Sequence, residues 1–144
     1  MFEAKWYMGQ EAVETLEKLN IKTNANDVYA VHVFVTEKDG GAMIAVGSAC
    51  PDLKSGGDVQ IERIVLMEKY KNTIFDELVL RMLLFKFQEL KNKKISMWAN
   101  EKQASLLARF GFSSTGEKNT ASDEMLFKMS ADTDKILWPS DCKC

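Results

Sequence analysis

The fold is decided by a strand–helix unit that opens with Ile61-Glu62-Arg63-Ile64-Val65-Leu66. A polar stretch, residues 67–73, follows this β-branched run, and residues 74–90 then place apolar side chains on nearly every side of a helix. In an α/β protein, a tight turn from strand into helix brings backbone N–H groups and the positive end of the helix dipole together. This elbow therefore predicts a site for an anion such as a phosphate.

A second strand–helix unit follows directly. Residues 94–99 have the pattern of a short strand, and residues 101–110 that of a short helix. Asn100, with Gln103 three residues later, predicts a capping box at the start of this helix. Gly111 stands just past its end, where a positive φ is cheap only without a β-carbon. Both ends of the helix are thus specified by local sequence.

The rest of the chain supplies strands around these two units. The Asp39-Gly40 pair is typical of a hairpin turn, and a β-branched and aromatic run on either side of it predicts two antiparallel strands. We predict strands at 2–8, 28–36, 42–50 and 59–66, a helix at 10–19, turns at 51–58 and 116–122, two strands within 112–129, and a tail that docks through Ile136, Leu137 and Trp138 or frays. The pattern indicates a single α/β (α+β) domain over residues 1–144.

Composition limits the partners. At 144 residues the chain fits one domain that buries roughly 70% of its unfolded surface. A formal charge of −2 and a pI near 5.5 favour neither a nucleic acid nor a membrane surface as partner. The most apolar stretch, residues 78–87, contains Arg81 and Lys86 and is too short to cross a bilayer. We therefore expect no nucleic-acid partner and no membrane partner.

The cysteines and the single histidine point to no metal centre. Cys50, Cys142 and Cys144 form neither a disulfide framework nor a metal-ligand set, which favours reduced thiols in a cytoplasmic protein. A redox-active or metal-contacting tail at residues 142–144 is the alternative. His32 lies among apolar residues of a predicted strand, where a packing role competes with that of a base.

The two strand–helix units resemble the GNAT (Gcn5-related) N-acetyltransferase family. The family's cofactor stretch runs strand, Pro, x, Tyr, Arg, Gly, x, Gly, x, Gly, helix, where this chain has Glu68-Lys69-Tyr70-Lys71-Asn72-Thr73-Ile74-Phe75-Asp76. The second signature runs Asn, six residues, Tyr, three residues, Gly-Phe, and the stretch from Asn100 to Phe112 matches this spacing without a gap. The resemblance is strongest over residues 28–129, with residues 130–144 as a C-terminal tail.

The resemblance implies a fold and a chemistry. It implies a mixed, mostly antiparallel sheet flanked by helices, in which two parallel strands splay apart to admit acetyl-CoA. An amine then attacks the thioester directly within a ternary complex. Glu62 matches the position from which family members deprotonate the substrate ammonium, although pairing with Arg63 or another base on a solvated strand face is the alternative. The cofactor contacts implied by the resemblance are Leu66, Met67, Lys71, Asn72, Thr73 and Asn100, with no metal.

The chain departs from the family pattern at several of these positions. Lys71 stands for the usual Arg and loses its bidentate fork, while Asn72, Ile74 and Asp76 stand for the three glycines. Asn72 tolerates a left-handed conformation, whereas Ile74 would be strained in one. Asp76 brings a negative charge toward a bound pyrophosphate. Leu107 replaces the tyrosine that protonates the leaving thiolate.

Two functions follow from this combination. The first is an acyl-CoA-dependent N-acyltransferase whose amine acceptor the sequence does not identify. The second is a non-catalytic module with the same fold that has lost acetyl-CoA. The apolar helix at residues 74–90 also predicts either a central position in the fold or the interface of a homodimer.

Overall fold

A seven-stranded sheet forms the centre of the molecule. The computed structural model describes residues 2–39, 41–51, 57–121 and 123–139. The strands are β1 (Phe2–Tyr7), β2 (Val31–Glu37), β3 (Met43–Pro51), β4 (Asp58–Leu66), β5 (Lys94–Ala99), β6 (Ser113–Ala121) and β7 (Glu124–Asp132). The helices are α1 (Gly9–Lys18), α2 (Phe75–Glu89) and α3 (Glu101–Arg109), joined by short 3-10 turns at Ala25–Val28, Glu68–Tyr70 and Thr133–Lys135.

The sheet is mostly antiparallel, in the order β1-β2-β3-β4-β5-β7-β6, and among the described strands only β4 and β5 run parallel. Helices α2 and α3 share one apolar core with the sheet, to which α2 contributes Leu83 and Phe87, and α3 contributes Leu107. Helix α1 packs Ala12 and Leu16 against Phe34 and Val46 on the opposite face. The mixed α/β architecture expected from the sequence is confirmed.

Strands β4 and β5 separate part-way along their length. They pair from Asp58 with Lys94 as far as Ile61 with Met97. Beyond this point β4 continues to Leu66, paired on its other edge with β3, while β5 ends at Ala99. The inner edge of β4 from residue 62 onward therefore faces an opening, as the sequence resemblance implies.

A β-bulge at Glu62 decides which faces the β4 side chains meet. Ser48 of β3 pairs with Arg63 and Ala49 pairs with Ile61, which leaves Glu62 as the extra residue. Arg63 consequently shares the α1 face of the sheet with Ser48, and Ile64 and Leu66 turn to the α2 face. If Glu62 instead took a regular place in the alternation of β4, each of these residues would lie on the opposite face.

Two predicted boundaries are wrong. Residues 28–30 do not begin β2, because Asn24 caps the 3-10 turn Ala25–Val28 with a complete capping box, so that Tyr29 is exposed and lies outside any strand. The turn between β6 and β7 does not start at Gly116, because β6 continues to Ala121. Gly116, at φ 90°, instead lies in a register shift of β6 between Ser114 and Lys118.

Several predicted features lie wholly or partly outside the described residues. These are Gly40 of the first hairpin, residues 52–56 of the turn after β3, Ser122, and Cys142 and Cys144 in the tail. The described part of the tail docks on the end of α3. There the Leu137 amide donates to the Phe110 carbonyl over 2.9 Å, and the Trp138 ring meets the Phe110 ring edge-on. No helix in the described part of the chain is long and apolar enough to cross a membrane.

Candidate active site

A cavity of about 330 Å³ occupies the opening between β4 and β5 on the α2 face. Its apolar wall is built by side chains of β4, β5 and α3, namely Ile64, Leu66, Met97, Leu106 and Leu107. Polar groups gather at one end, where the elbow before α2 meets the start of α3: Glu68, Lys71, Asn72, Asp76, Asn100, Lys102 and Gln103. An apolar arm with a charged end therefore fits this cavity better than a uniformly polar ligand.

The backbone of β4 offers a hydrogen-bond donor to the opening. The Met67 amide donates to the Ile44 carbonyl of β3 over 2.9 Å. Because successive amides of a strand point to opposite edges, the Leu66 N–H points away from β3, toward the edge where β5 has separated. A carbonyl oxygen placed in the opening meets this donor, whereas the Met67 amide is already engaged.

The elbow before α2 keeps part of the geometry that a phosphate loop needs. Asn72 has a left-handed backbone with φ 66°, as the sequence analysis allows. The strain predicted for Ile74 is absent, because its φ is −83° and its side chain, 79% exposed, projects into solvent rather than into the cavity. Ile74 therefore neither distorts nor blocks the elbow.

Four charged side chains line the polar end of the cavity. Lys71 lies 3.5 Å from Glu68, and Lys102 Nζ lies 3.4 Å from Asn72 Oδ1 across the elbow. Asp76 lines the same cavity, and its carboxylate accepts from the Glu77 amide over 2.7 Å. Two lysines and two carboxylates thus share this end of the cavity.

Thr73 and Tyr70 point away from the cavity. The Thr73 hydroxyl donates to the Tyr70 carbonyl and accepts from the Phe75 amide. The Tyr70 hydroxyl donates to the Glu37 carboxylate, which raises the pKa of Tyr70 and, with help from Lys69, lowers the pKa of Glu37. Tyr70 therefore links the elbow to Glu37 of β2, and its hydroxyl does not point to the opening as a proton donor would.

Helix α3 supplies the other side of the cavity. The Asn100 side chain accepts from the Gln103 amide over 2.8 Å while the Gln103 side chain accepts from the Asn100 amide over 3.0 Å, which is the predicted capping box. Leu107 is buried in the core and lines the cavity without filling it. It offers no proton to a leaving group.

Glu62 lies on the opposite face of the β4–β5 pair. It lines a second cavity of about 490 Å³ together with Gln60, Ser96 and Lys128. Its carboxylate oxygens accept from two neutral amides, Asn24 Nδ2 and Gln60 Nε2, each over 3.1 Å. The alternative pairing of Glu62 with Arg63 does not occur, because Arg63 binds Asp27.

A buried polar network fixes the turn that carries Asn24. Arg63 binds both carboxylate oxygens of Asp27 over 2.8 Å and also donates to the Ser48 hydroxyl over 2.9 Å. His32 Nδ1 lies 2.7 Å from that hydroxyl, and His32 Nε2 lies 2.8 Å from the Asp27 carbonyl. A carbonyl only accepts, so Nε2 carries the proton and Nδ1 accepts from Ser48.

The charge states of this network follow from its burial. Burial lowers the pKa of His32 despite the opposing hydrogen bond to Asp27, so the imidazole is neutral near pH 7. Burial acts to raise the pKa of Asp27, but the hydrogen bonds from Arg63 and from the Asn24 amide outweigh it and lower that pKa. His32 is thus a fully buried structural group and not a base in the cleft.

Sequence reasoning missed Lys102, Asn24 and Gln60. Lys102 follows the helix cap at Asn100, so its place at the cavity mouth was readable from the second signature. Asn24 reaches Glu62 only through the folding of a distant turn, for which the sequence carries no local signal. Among the described residues, no group of three or more His, Cys, Asp or Glu side chains is placed to hold a metal ion.

The sequence matches no protein-family model and no curated protein, but the structure has close counterparts. An acyl-CoA N-acyltransferase from Pseudomonas aeruginosa is 13% identical with a TM-score of 0.74, covering 90% of this chain and 99% of that chain. Escherichia coli ElaA is 14% identical with the same TM-score and the same coverage. The spermidine/spermine N-acetyltransferase SpeG from Vibrio cholerae is 12% identical with a TM-score of 0.73, covering 93% of this chain and 94% of that chain.

These likenesses define the class of fold. Together with the separated parallel strands and the elbow before α2, they show that the chain has the GNAT N-acetyltransferase fold. At such low identity the likeness extends to the fold and not to a substrate.

Proposed function

We propose that this protein is an acyl-CoA-dependent N-acyltransferase that moves an acetyl group from acetyl-CoA to a primary amine. The observation that carries the proposal is the opening beside Leu66, which has a free backbone edge, a cavity of about 330 Å³ on one face and a carboxylate, Glu62, on the other. An amine approaching from the Glu62 side meets a thioester lying along β4.

The reaction needs one bond exchange and three proton movements. Glu62 accepts a proton from the substrate ammonium, directly or through water, and the freed amine attacks the thioester carbonyl. The Leu66 amide stabilises the negative charge that develops on the carbonyl oxygen. The C–N bond forms as the C–S bond breaks, the nitrogen gives its second proton to water, and the departing thiolate takes a proton from water. The products are therefore an acetamide, coenzyme A and one released proton.

Proximity carries most of the rate in such a site. Holding both reactants beside each other supplies roughly 7–11 kcal/mol of the barrier, which requires no side-chain catalyst. With Leu107 in place of a tyrosine, the sulfur leaves as a thiolate and takes its proton from water. The absence of a general acid at this position typically costs about 10²–10⁴ in rate, which slows the reaction without preventing it.

The cavity fits acetyl-CoA well along its arm and less well at its pyrophosphate. Ile64, Leu66, Met97 and Leu106 suit the pantetheine arm, and Lys71 and Lys102 supply two cations at the phosphate end. Asp76 and Glu68 oppose them, so we expect weaker cofactor binding than a glycine-rich elbow gives. The cofactor, when bound, supplies the activated acyl group.

A non-catalytic role is the second candidate. The Asp76 carboxylate in the elbow and the buried Leu107 both favour a module that has lost acetyl-CoA.

A thermal-melting experiment separates the two functions. Acetyl-CoA at 100 times its dissociation constant adds about 2.7 kcal/mol, which corresponds to a rise in melting temperature of about 5–10 °C for a chain of this size. An unchanged melting temperature at millimolar acetyl-CoA would contradict the enzyme and favour the module.

Replacing Asp76 with asparagine is expected to tighten acetyl-CoA binding about tenfold. Like charges 4–8 Å apart repel by about 2–4 kcal/mol at an effective dielectric near 20, and screening at this half-buried position reduces that to roughly 1–2 kcal/mol. Asparagine retains the acceptor for the Glu77 amide. Isothermal titration measures the effect, and Glu89→Gln at the exposed end of α2 is the matched control. Equal affinity in D76N and the parent would show that the pyrophosphate does not approach Asp76.

A further inference from the structure

On the α1 face of the sheet, a cavity is lined by residues of β4, β5 and β7, and opposite charges flank the opening on this surface. Helix α1 packs against Phe34 of β2 and Val46 of β3, with Tyr7 of β1 at the edge of the same cluster. Strand register sets Gln60, Ser96 and Ser130 side by side across β4, β5 and β7. Two residues further along each strand toward the opening, the same face carries Glu62, Trp98 and Lys128. A carboxylate and an ammonium therefore stand on either side of Trp98.

Glu62 and Lys128 line one cavity. Their strands are separated by two interstrand spacings, roughly 10 Å between backbones, and β4 and β5 diverge at this level. Both side chains are long enough to reach inward. A molecule held between them has room for a short chain of carbon atoms between its two polar ends.

Each charge is only lightly engaged by the protein. Glu62 accepts hydrogen bonds from two neutral amides and has no ion-pair partner among the residues that the structure describes. Lys128 has an ion pair with Glu117 at 3.8 Å, in which the two side chains are 30% and 58% exposed. Such a long, solvated pair contributes little and yields readily to a better-placed anion.

Asp58, the other acidic residue of the cavity, has a different lysine beside it in the sheet. Asp58 lies four residues before Glu62 on β4, at the end distant from the opening, and its register neighbour on β5 is Lys94. Across the strands, Asp58 therefore stands beside Lys94, whereas Glu62 has Lys128 two strands away. The charge pattern near the opening is mixed rather than acidic.

We propose that the acceptor is a small amino acid-like molecule, whose ammonium lies against Glu62 and whose carboxylate binds Lys128. This inference rests on the proposed function, since Glu62 is the group that receives the ammonium beside the thioester. Lys128 then determines specificity: it favours an amine with an anionic far end and disfavours a diamine, whose second ammonium it repels.

Three probes of equal carbon number test the inference: γ-aminobutyrate, butylamine and putrescine. Binding is followed by amide and indole NMR shifts of Ser96 and Trp98 in the full chain, in the presence of coenzyme A. We expect γ-aminobutyrate to bind about fivefold more tightly than butylamine, and putrescine to bind most weakly.

Two substitutions test the role of Lys128. Lys128→Glu should reverse the order of γ-aminobutyrate and putrescine. Glu117→Gln, which frees Lys128, should strengthen γ-aminobutyrate binding.

The outcomes separate this inference from the function on which it rests. Tighter binding of putrescine than of γ-aminobutyrate to the parent, or an order that Lys128→Glu leaves unchanged, overturns the inference. If acetyl-CoA raises the melting temperature while none of the three amines binds, the transferase stands and the amino acid-like acceptor is rejected. If γ-aminobutyrate binds through Lys128 and acetyl-CoA has no effect, the acceptor site stands and the transferase is rejected.

Discussion

Replacing Arg63 with methionine is expected to lower the free energy of unfolding by about 3–5 kcal/mol, because it leaves a buried carboxylate without its cation. The Asp27 side chain is fully buried and the Arg63 side chain is 10% exposed, so water cannot replace the lost partner. The Ser48 hydroxyl loses its hydrogen-bond donor at the same time. Urea unfolding followed by tryptophan fluorescence measures the change.

Two further variants make the Arg63 result specific. Lys135→Met removes a surface ion pair of 3.7 Å whose partners are 77% and 41% exposed, and it should cost at most about 1 kcal/mol. The double variant Asp27→Asn with Arg63→Met should recover part of the loss, since no uncompensated charge remains and asparagine can still accept from the Asn24 amide. Equal losses for Arg63→Met and Lys135→Met would show that the Asp27–Arg63 pair is not sequestered from water.

Changing Glu62 to glutamine is expected to reduce kcat for acetyl transfer about 10²–10⁴-fold, the range typical of losing a general base. Glutamine has nearly the same shape and still accepts a hydrogen bond, but it does not take a proton from an ammonium. The rise in melting temperature with acetyl-CoA should be unchanged, because Glu62 lies on the opposite face from the cofactor cavity.

The rate of coenzyme A release in the presence of an amine gives the Glu62 measurement. Glu14→Gln, an exposed substitution on α1, is the control for a general effect of losing a carboxylate. A rate for Glu62→Gln within a few-fold of the parent would remove the residue from the reaction. In that case the amine would have to lose its proton to water before it binds.

Local sequence predicts the features whose causes are local. The Asp39-Gly40 hairpin, the capping box of Asn100 and Gln103, and the positive φ of Gly111 all depend on a few adjacent residues, and the structure bears out each in its described part. The left-handed Asn72 belongs with them. In each case a residue's own conformational preference decides the geometry.

Features that depend on distant contacts were not readable in the same way. The start of β2 moved to Val31 because a capped turn, held by Arg63 from another strand, occupies the preceding residues. Ile74 is not strained, because its backbone has an ordinary conformation and its side chain faces solvent. The contact between Asn24 and Glu62 spans 38 positions of sequence, and no pattern of periodicity or propensity encodes it.

The bulge at Glu62 also gives β4 a residue that the ladder with β3 does not need. Because Glu62 is the extra residue, a chain that lacked it would return to strict alternation with Arg63 still opposite Ser48, and with Ile64 and Leu66 still on the α2 face. Such a single-codon deletion would keep the Asp27–Arg63 ion pair and the apolar wall of the cavity while it removed the carboxylate. We therefore expect a related sequence to be able to lose this carboxylate in one step and keep the fold.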